Sequence, residues 1–184
     1  MNETSKLIEK RKKLGYYDKY FVGKGLEIGG WNDPLIVNGK PITQHTLPDG
    51  STHLLPFKDG EFDFLYASHV LEHFPVSITV LKEWLRVVKV GGYVYFSVPD
   101  FELYEKGKWP SVFNPAHKNN FSLIKVKAIA TALSDIAYPK LCLLEDNNFD
   151  YSLDQSIDQT RGKASCQIDC CLQKLFTSSD IVCG

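Results

Sequence analysis

No run in this 184-residue chain approaches ~18 uninterrupted apolar residues, the length needed to span a bilayer, so no membrane partner is expected. An excess of charge of one sign is lacking too. Lysine and arginine number 21 against 22 acidic residues, a net charge of −1. Nucleic-acid backbones and anionic membranes recruit clustered positive charge, so nucleic acid is not an expected partner either. The N-terminal MNETSKLIEKRKKLGYYDKYF has no apolar core followed by small residues and does not read as a signal peptide, which sets a cytoplasmic expectation. Cysteine is scarce outside the last quarter, where Cys142, Cys166, Cys170, Cys171 and Cys183 all lie. An odd count without secretory features argues against a disulfide framework. The run CQIDCC does not supply the paired units and nearby histidines that zinc takes, so no metal is expected. Instead Cys166, Ile168, Cys170 and Leu172 alternate with Gln167, Asp169 and Gln173, the pattern of a half-buried strand with thiols as small core residues.

What is present suits one domain, residues 1–184, with 43% hydrophobic and 23% charged residues. Residues 3–20 read as a helix with Gly15 as a break, and the Lys-Arg-Lys-Lys run reads as a solvated face flanked by Glu3, Glu9 and Asp18. GKGLEIGGW follows as a short buried strand through Leu26 and Ile28. Four prolines and three glycines in residues 31–60 predict loops with at most one short strand, around Ile42 to Leu47. FDFLYASHV predicts a strand at about 62–67. VSITVLKEWLRVVKVGG predicts a helix capped by Ser77 and closed by Lys89 and Gly91, with Ile78, Leu81, Leu85 and Val88 as its apolar stripe. GYVYFSVPD reads as a strand stopped by Pro99, residues 101–120 as a polar-aromatic loop, and 121–137 as a helix. PKLCLLED and ASCQIDCCLQKL read as two last strands. This order predicts an α/β fold, a three-layer sandwich around a mostly parallel sheet with ligands beyond the carboxyl ends of its strands.

LEIGGWNDPL, LPFKDGEFDFLYASHVLEHF and LKEWLRVVKVGGYVYFSVPD together resemble the class I Rossmann-like S-adenosylmethionine (SAM)-dependent methyltransferases, closely over residues 25–100 and more loosely after. The resemblance implies an N-terminal helix (1–22), a cofactor-binding core (25–100), and an acceptor loop with C-terminal strands (101–184), one of them antiparallel. It implies SAM as the methyl donor and S-adenosylhomocysteine as product. The resemblance places Glu27, Ile28, Gly29, Gly30 and Trp31 at the amino-acid end of SAM. Glycine there lets the backbone come close. Ser51, Thr52, His53 and Leu54 fall where the adenine lies, and Ser68 and His69 face the methyl donor. Trp31 either walls the pocket or packs under the loop. His73 reads as a packed histidine, and His69 fits a structural role as well as a site role.

Two departures stand out. Trp31 and Asp33 occupy the second and third glycine positions of the usual turn, although Asp33-Pro34-Leu35 resembles an Asn-Pro-Leu variant. The second crossover is shortened, and no acidic residue for the ribose is evident, with Asp49 a candidate by default. A dehydrogenase-type Gly-x-Gly-x-x-Gly turn fits poorly, because Gly23-Lys24-Gly25 precedes the strand. A hydroxyl acceptor needs a base, for which His117 is the candidate, with Asp100 and Glu102 as alternatives and Tyr104, Trp109 and Phe113 around it. The tail DQTRGKASCQIDCCLQK resembles ends of methyltransferases of surface-glycan synthesis, so a sugar hydroxyl is the expected acceptor. Another small-molecule O- or N-methyltransferase, or a degenerate scaffold without catalysis, are the alternatives, and a homo-oligomer is left open.

Overall fold

The computed structural model describes residues 4–30, 32–47, 54–146 and 166–175. A 3-10 turn, Ser5–Leu7, leads into helix α1 (Ile8–Lys13). Gly15 then takes a left-handed φ of 70° and breaks the helix before α2 (Tyr16–Tyr20). Strand β1 (Gly25–Ile28) is buried at all four residues because it has a neighbour on both edges. The glycine- and proline-rich stretch forms more than the single strand predicted. A two-residue hairpin of β2 (Ile36–Val37) and β3 (Lys40–Pro41) precedes β4 (Thr43–His45), and β4 pairs parallel to β1. This hairpin takes the place of a crossover helix.

Strand β5 (Phe62–Ser68) follows, then a 3-10 turn (Leu71–His73) and helix α3 (Ser77–Val87). Ser77 does not cap α3; its hydroxyl accepts a 2.9 Å hydrogen bond from Asn119 Nδ2. The helix ends earlier than Lys89 and Gly91 suggest, because Val88 turns extended and enters β6 (Val88–Pro99) directly, where it pairs with Phe62. Its buried face is Val80, Leu81, Trp84, Leu85 and Val87. Ile78 is not part of that face and is exposed. Each such side chain contributes roughly 1.5–3 kcal/mol of burial. Helix α4 (Leu123–Ala132) is capped by Ser122 Oγ, which accepts from Lys125 N. Strands β7 (Ala137–Asp146) and β8 (Cys166–Lys174) complete the chain order.

Among the described residues one six-stranded sheet runs β4-β1-β5-β6-β8-β7. The first four strands are parallel, and β8 is inserted antiparallel to both β6 and β7. One face packs α3 and α4 through Trp84, Phe96, Val126 and Ile168. The other carries α2 and the hairpin through Tyr16, Tyr20, Phe21, Leu35, Tyr66 and Tyr95. No helix among the described residues is long and apolar enough to cross a membrane.

Two sequence expectations change here. β8 is not half-buried: Gln167 and Asp169 are as inaccessible as Ile168 and Cys170. The reason is Arg11, which lies inside rather than on a solvated helix face. Its guanidinium reaches both Asp169 oxygens at 2.9 and 3.1 Å, Tyr66 Oη at 2.9 Å and Ser97 Oγ at 3.1 Å. Asp169 also accepts from Tyr95 Oη, from Ser97 Oγ at 2.7 Å and from Gln167 Nε2 at 2.7 Å. Burial pushes the Asp169 carboxyl up, but the Arg11 charge and these hydrogen bonds hold it below the usual carboxylate value. Burial likewise works against the Arg11 charge, and Asp169 more than offsets it.

Candidate active site

Two turns at the carboxyl edge of the parallel strands carry the candidate site residues. The first follows β1. Gly29 has a φ of 83°, and a Cβ there would lie 2.7 Å from Val70 Cγ2, so both conformation and space require glycine. A Cβ on Gly30 would lie 2.2 Å from the Glu27 carboxylate carbon. Glu27 is buried and accepts hydrogen bonds from the Leu35 N–H at 3.0 and 3.1 Å and from Gln44 Nε2 at 3.2 Å. Burial raises its pKa, against the lowering effect of those bonds. Glu27 thus anchors the loop that carries Asp33 and Leu35. Asp33 Oδ2 in turn accepts from the Ser5 N–H at 2.9 Å, tying that loop to the N-terminal segment. This accounts for Asp33 standing where a glycine is usual: the loop is pinned by two polar contacts and by the buried Leu35 side chain.

The second turn follows β5, and the contact of Gly29 with Val70 sets it against the first. Ser68 ends the strand opposite Ser97, and His69 takes a φ of 55°. A non-glycine residue in this region is strained, and such strain concentrates at functional sites. The His69 N–H donates to Ser97 O at 2.9 Å, and its Nε2 lies 3.1 Å from Gln167 Oε1. Its Nδ1 lies 3.6 Å from Glu72 Oε1.

The polar-aromatic loop closes over this turn. Lys118 and Asn119 N–H groups donate to Glu72 O at 2.8 and 3.0 Å, and His73 Nδ1 meets Ala116 O at 3.3 Å. His117 is thereby brought beside the HVLEH turn, with its side chain 1% exposed. Its Nδ1 lies 2.6 Å from Glu105 Oε1, and its Nε2 lies 3.8 Å from Glu72 Oε1. Tyr104 stacks against this group, with ring centroids 6.0 Å from His69 and 5.6 Å from His117. Trp109 stays 39% exposed on the same loop.

Of the residues expected from sequence, the structure gathers Glu27, Ile28, Gly29, Gly30, Ser68, His69 and His117 along one sheet edge. His73 joins them, its ring 5.2 Å from that of His117. Leu54 is 61% exposed, on the segment leading to β5. Trp31, Asp49, Ser51, Thr52, His53 and Cys183 lie outside the described residues. Asp100 serves the loop itself, its Oδ1 accepting from the Glu102 and Leu103 N–H groups at 3.0 Å, and Glu102 is exposed. Sequence reasoning missed Glu72, Glu105 and Gln167 as members of the group. The HVLEH pattern contained Glu72, but nothing local marks Glu105 within ELYEKGKW or Gln167 within β8.

Residues 38–96, about a third of the chain, match a methyltransferase domain family. A demethylmenaquinone methyltransferase from Bacillus velezensis is 46% identical over 52 residues, 28% of this chain and 22% of that enzyme. The chain therefore matches the curated relatives over only about a fifth of their length. Among solved structures, a SAM-dependent methyltransferase from Thermotoga maritima superposes with a TM-score of 0.54 at 17% identity, covering 91% of this chain and 96% of that one. One from Methanosarcina mazei gives 0.56 at 14% identity, covering 85% and 96%. The chain has the Rossmann-like α/β fold of SAM-dependent methyltransferases, its residues 38–96 match a methyltransferase domain, and SAM is the cofactor that this match implies.

Proposed function

We propose that the protein is a cytoplasmic SAM-dependent methyltransferase whose acceptor is a small molecule, a sugar hydroxyl of glycan or polysaccharide biosynthesis. The observation that carries this reading is the meeting of the Gly29–Gly30 turn with the His69–His117 group on one sheet edge, through Gly29 and Val70. When bound, SAM supplies an electrophilic methyl group on a sulfonium. The backbone of residues 28–30 offers the close approach that its amino-acid end requires, held in shape by Glu27 from beneath. His117 is built as an oriented base: Glu105 fixes its Nδ1–H, which leaves Nε2 as the atom to take the acceptor's proton. In-line methyl transfer depends on alignment and exclusion of water, and the closed packing of Tyr104, His117 and Glu72 serves the second need. Exposed Trp109 offers a flat apolar face of the kind that stacks on sugar rings. The demethylmenaquinone-named relatives support a small acceptor in general, not a sugar in particular.

One observation favours a second reading, a methyltransferase-like scaffold: the Glu27 carboxylate is already engaged by Leu35 and Gln44. Calorimetric titration with S-adenosylhomocysteine separates the two. Saturable micromolar binding that Gly29→Ala weakens at least tenfold supports the enzyme; no binding by the folded, reduced protein supports the scaffold. Transfer of labelled methyl from SAM to sugar nucleotides, abolished in His117→Asn, then tests the acceptor class. Labelling of other small molecules alone would remove the sugar.

A further inference from the structure

Glu72, His73 and His117 each present a ligand atom, and these three atoms lie within 4.8 Å of one another. Two imidazoles and a carboxylate are a donor set suited to a divalent transition metal, and three protein ligands leave coordination positions for water or another ligand. We propose that these residues form a divalent transition-metal site, with Glu105 as the residue that positions His117.

Orientation is the first argument. A metal-ligating histidine characteristically donates its second ring N–H to a carboxylate or carbonyl, which fixes the tautomer and aims the remaining lone pair. His117 meets this requirement through Glu105 Oε1 at 2.6 Å, and its Nε2 then faces Glu72. His73 has the same arrangement, with its Nδ1 3.3 Å from Ala116 O. Both rings are thus held from behind, by acceptors on the 101–120 loop.

Charge is the second argument. Glu72 and Glu105 are 0% and 1% exposed, and Glu105 Oε2 has no hydrogen-bond partner among the described residues. Two carboxylates buried this close to a pair of imidazoles make an environment that favours a cation. His69 Nδ1, 3.6 Å from Glu72 Oε1, is a further group able to orient that carboxylate or to join it. The bonds from Lys118 and Asn119 to Glu72 O hold the two ligand-bearing segments together.

The metal's catalytic role alone rests on the methyltransferase reading. With Glu72, His73 and His117 holding the ion, His117 would act as a ligand and not as the base, and the metal would supply Lewis-acid polarisation of an acceptor hydroxyl, whose proton would pass to solvent water.

The test uses the full chain, reduced, stripped of metal with a chelator and desalted. Titration with Zn²⁺ is expected to show one ion per chain at micromolar or tighter affinity. His73→Ala and His117→Ala should each weaken it about 100-fold or more, and Glu105→Gln about 10- to 100-fold, the range seen for groups that orient a ligand. Cys142→Ser should change nothing. Co²⁺ substitution of the wild-type protein should give visible d–d bands without a thiolate charge-transfer band. The proposal is overturned by a folded wild-type protein that takes up no ion, by uptake that survives in the Glu72→Gln/His73→Ala/His117→Ala variant, or by a thiolate band. Where the alanine variants do not fold, the wild-type Co²⁺ spectrum decides. Metal uptake without S-adenosylhomocysteine binding would remove the methyltransferase reading and leave the site; the converse would do the opposite.

Discussion

Two buried polar groups sit on this sheet, and they are built to different rules. In the first, Arg11 and Asp169 face each other across the layer under α1, with Tyr66, Tyr95, Ser97 and Gln167 completing their hydrogen bonds. One permanent cation meets one carboxylate, and the surrounding hydroxyls suit both. In the second, at the carboxyl edge, Glu72 and Glu105 surround His73 and His117, imidazoles that carry charge only when protonated. The first group pairs two fixed charges of opposite sign; the second sets two carboxylates beside two imidazoles. A buried polar cluster built on a fixed ion pair holds the fold, whereas one built on imidazoles and carboxylates is where chemistry is found.

The sharpest way to break this contrast is to remove one partner from the closed group. Asp169→Ala leaves Arg11 buried without its counter-charge and is expected to cost about 3–5 kcal/mol in urea unfolding. Replacing both partners, Arg11→Met with Asp169→Leu, should recover most of that loss; no recovery would mean that the hydroxyl network, not the ion pair, dominates. His117→Ala should cost less stability, about 1–3 kcal/mol, while removing methyl transfer and metal uptake. Gly29→Ala lies between structure and function. Its positive φ and the clash with Val70 predict about 1–3 kcal/mol of destabilisation together with weaker S-adenosylhomocysteine binding. The smallest effect is expected at Ile124, 82% exposed on α4, where Ile124→Lys should stay within about 0.5 kcal/mol.

Acidity sharpens the same comparison. The folded Asp169 carboxyl lies below its ordinary value of 3.8, so the folded state holds the proton less readily than the unfolded chain. Its contribution is complete above that value and is lost as pH falls through it toward the lower folded pKa. Urea midpoints of the wild type should therefore drop steeply below about pH 4, and those of Asp169→Asn should drop less.

What could be read from the sequence follows from what is local. The strand at Leu26 and Ile28, the amphipathic α3 and the aromatic β6 each announce themselves within a dozen residues, and the glycine turn and Ser68-His69 followed from a family resemblance. Arg11 did not, because its partner lies 158 residues away, and in its own segment it is one cation in a run of four. The same distance hid the burial of Gln167 and Asp169, whose alternation with apolar residues looks like a wet face until Arg11 covers it. Glu105 was missed for a related reason: a glutamate among lysines in an irregular loop has no periodicity to betray that it turns inward. The hairpin in the first crossover escaped because two-residue strands between prolines and glycines leave no run to detect.

The pairing of Arg11 with Asp169 also sets an order of events during synthesis. The helix bearing Arg11 leaves the ribosome well before β8, which is inserted between β6 and β7 and carries Asp169, 158 residues further on. Until β8 emerges, the nascent chain carries an arginine whose site is missing one wall and a β6 edge open to pairing with other chains. Such late, long-range closure is slow relative to local helix formation. Translation rate and chaperone supply should therefore influence how much of this protein a cell recovers folded.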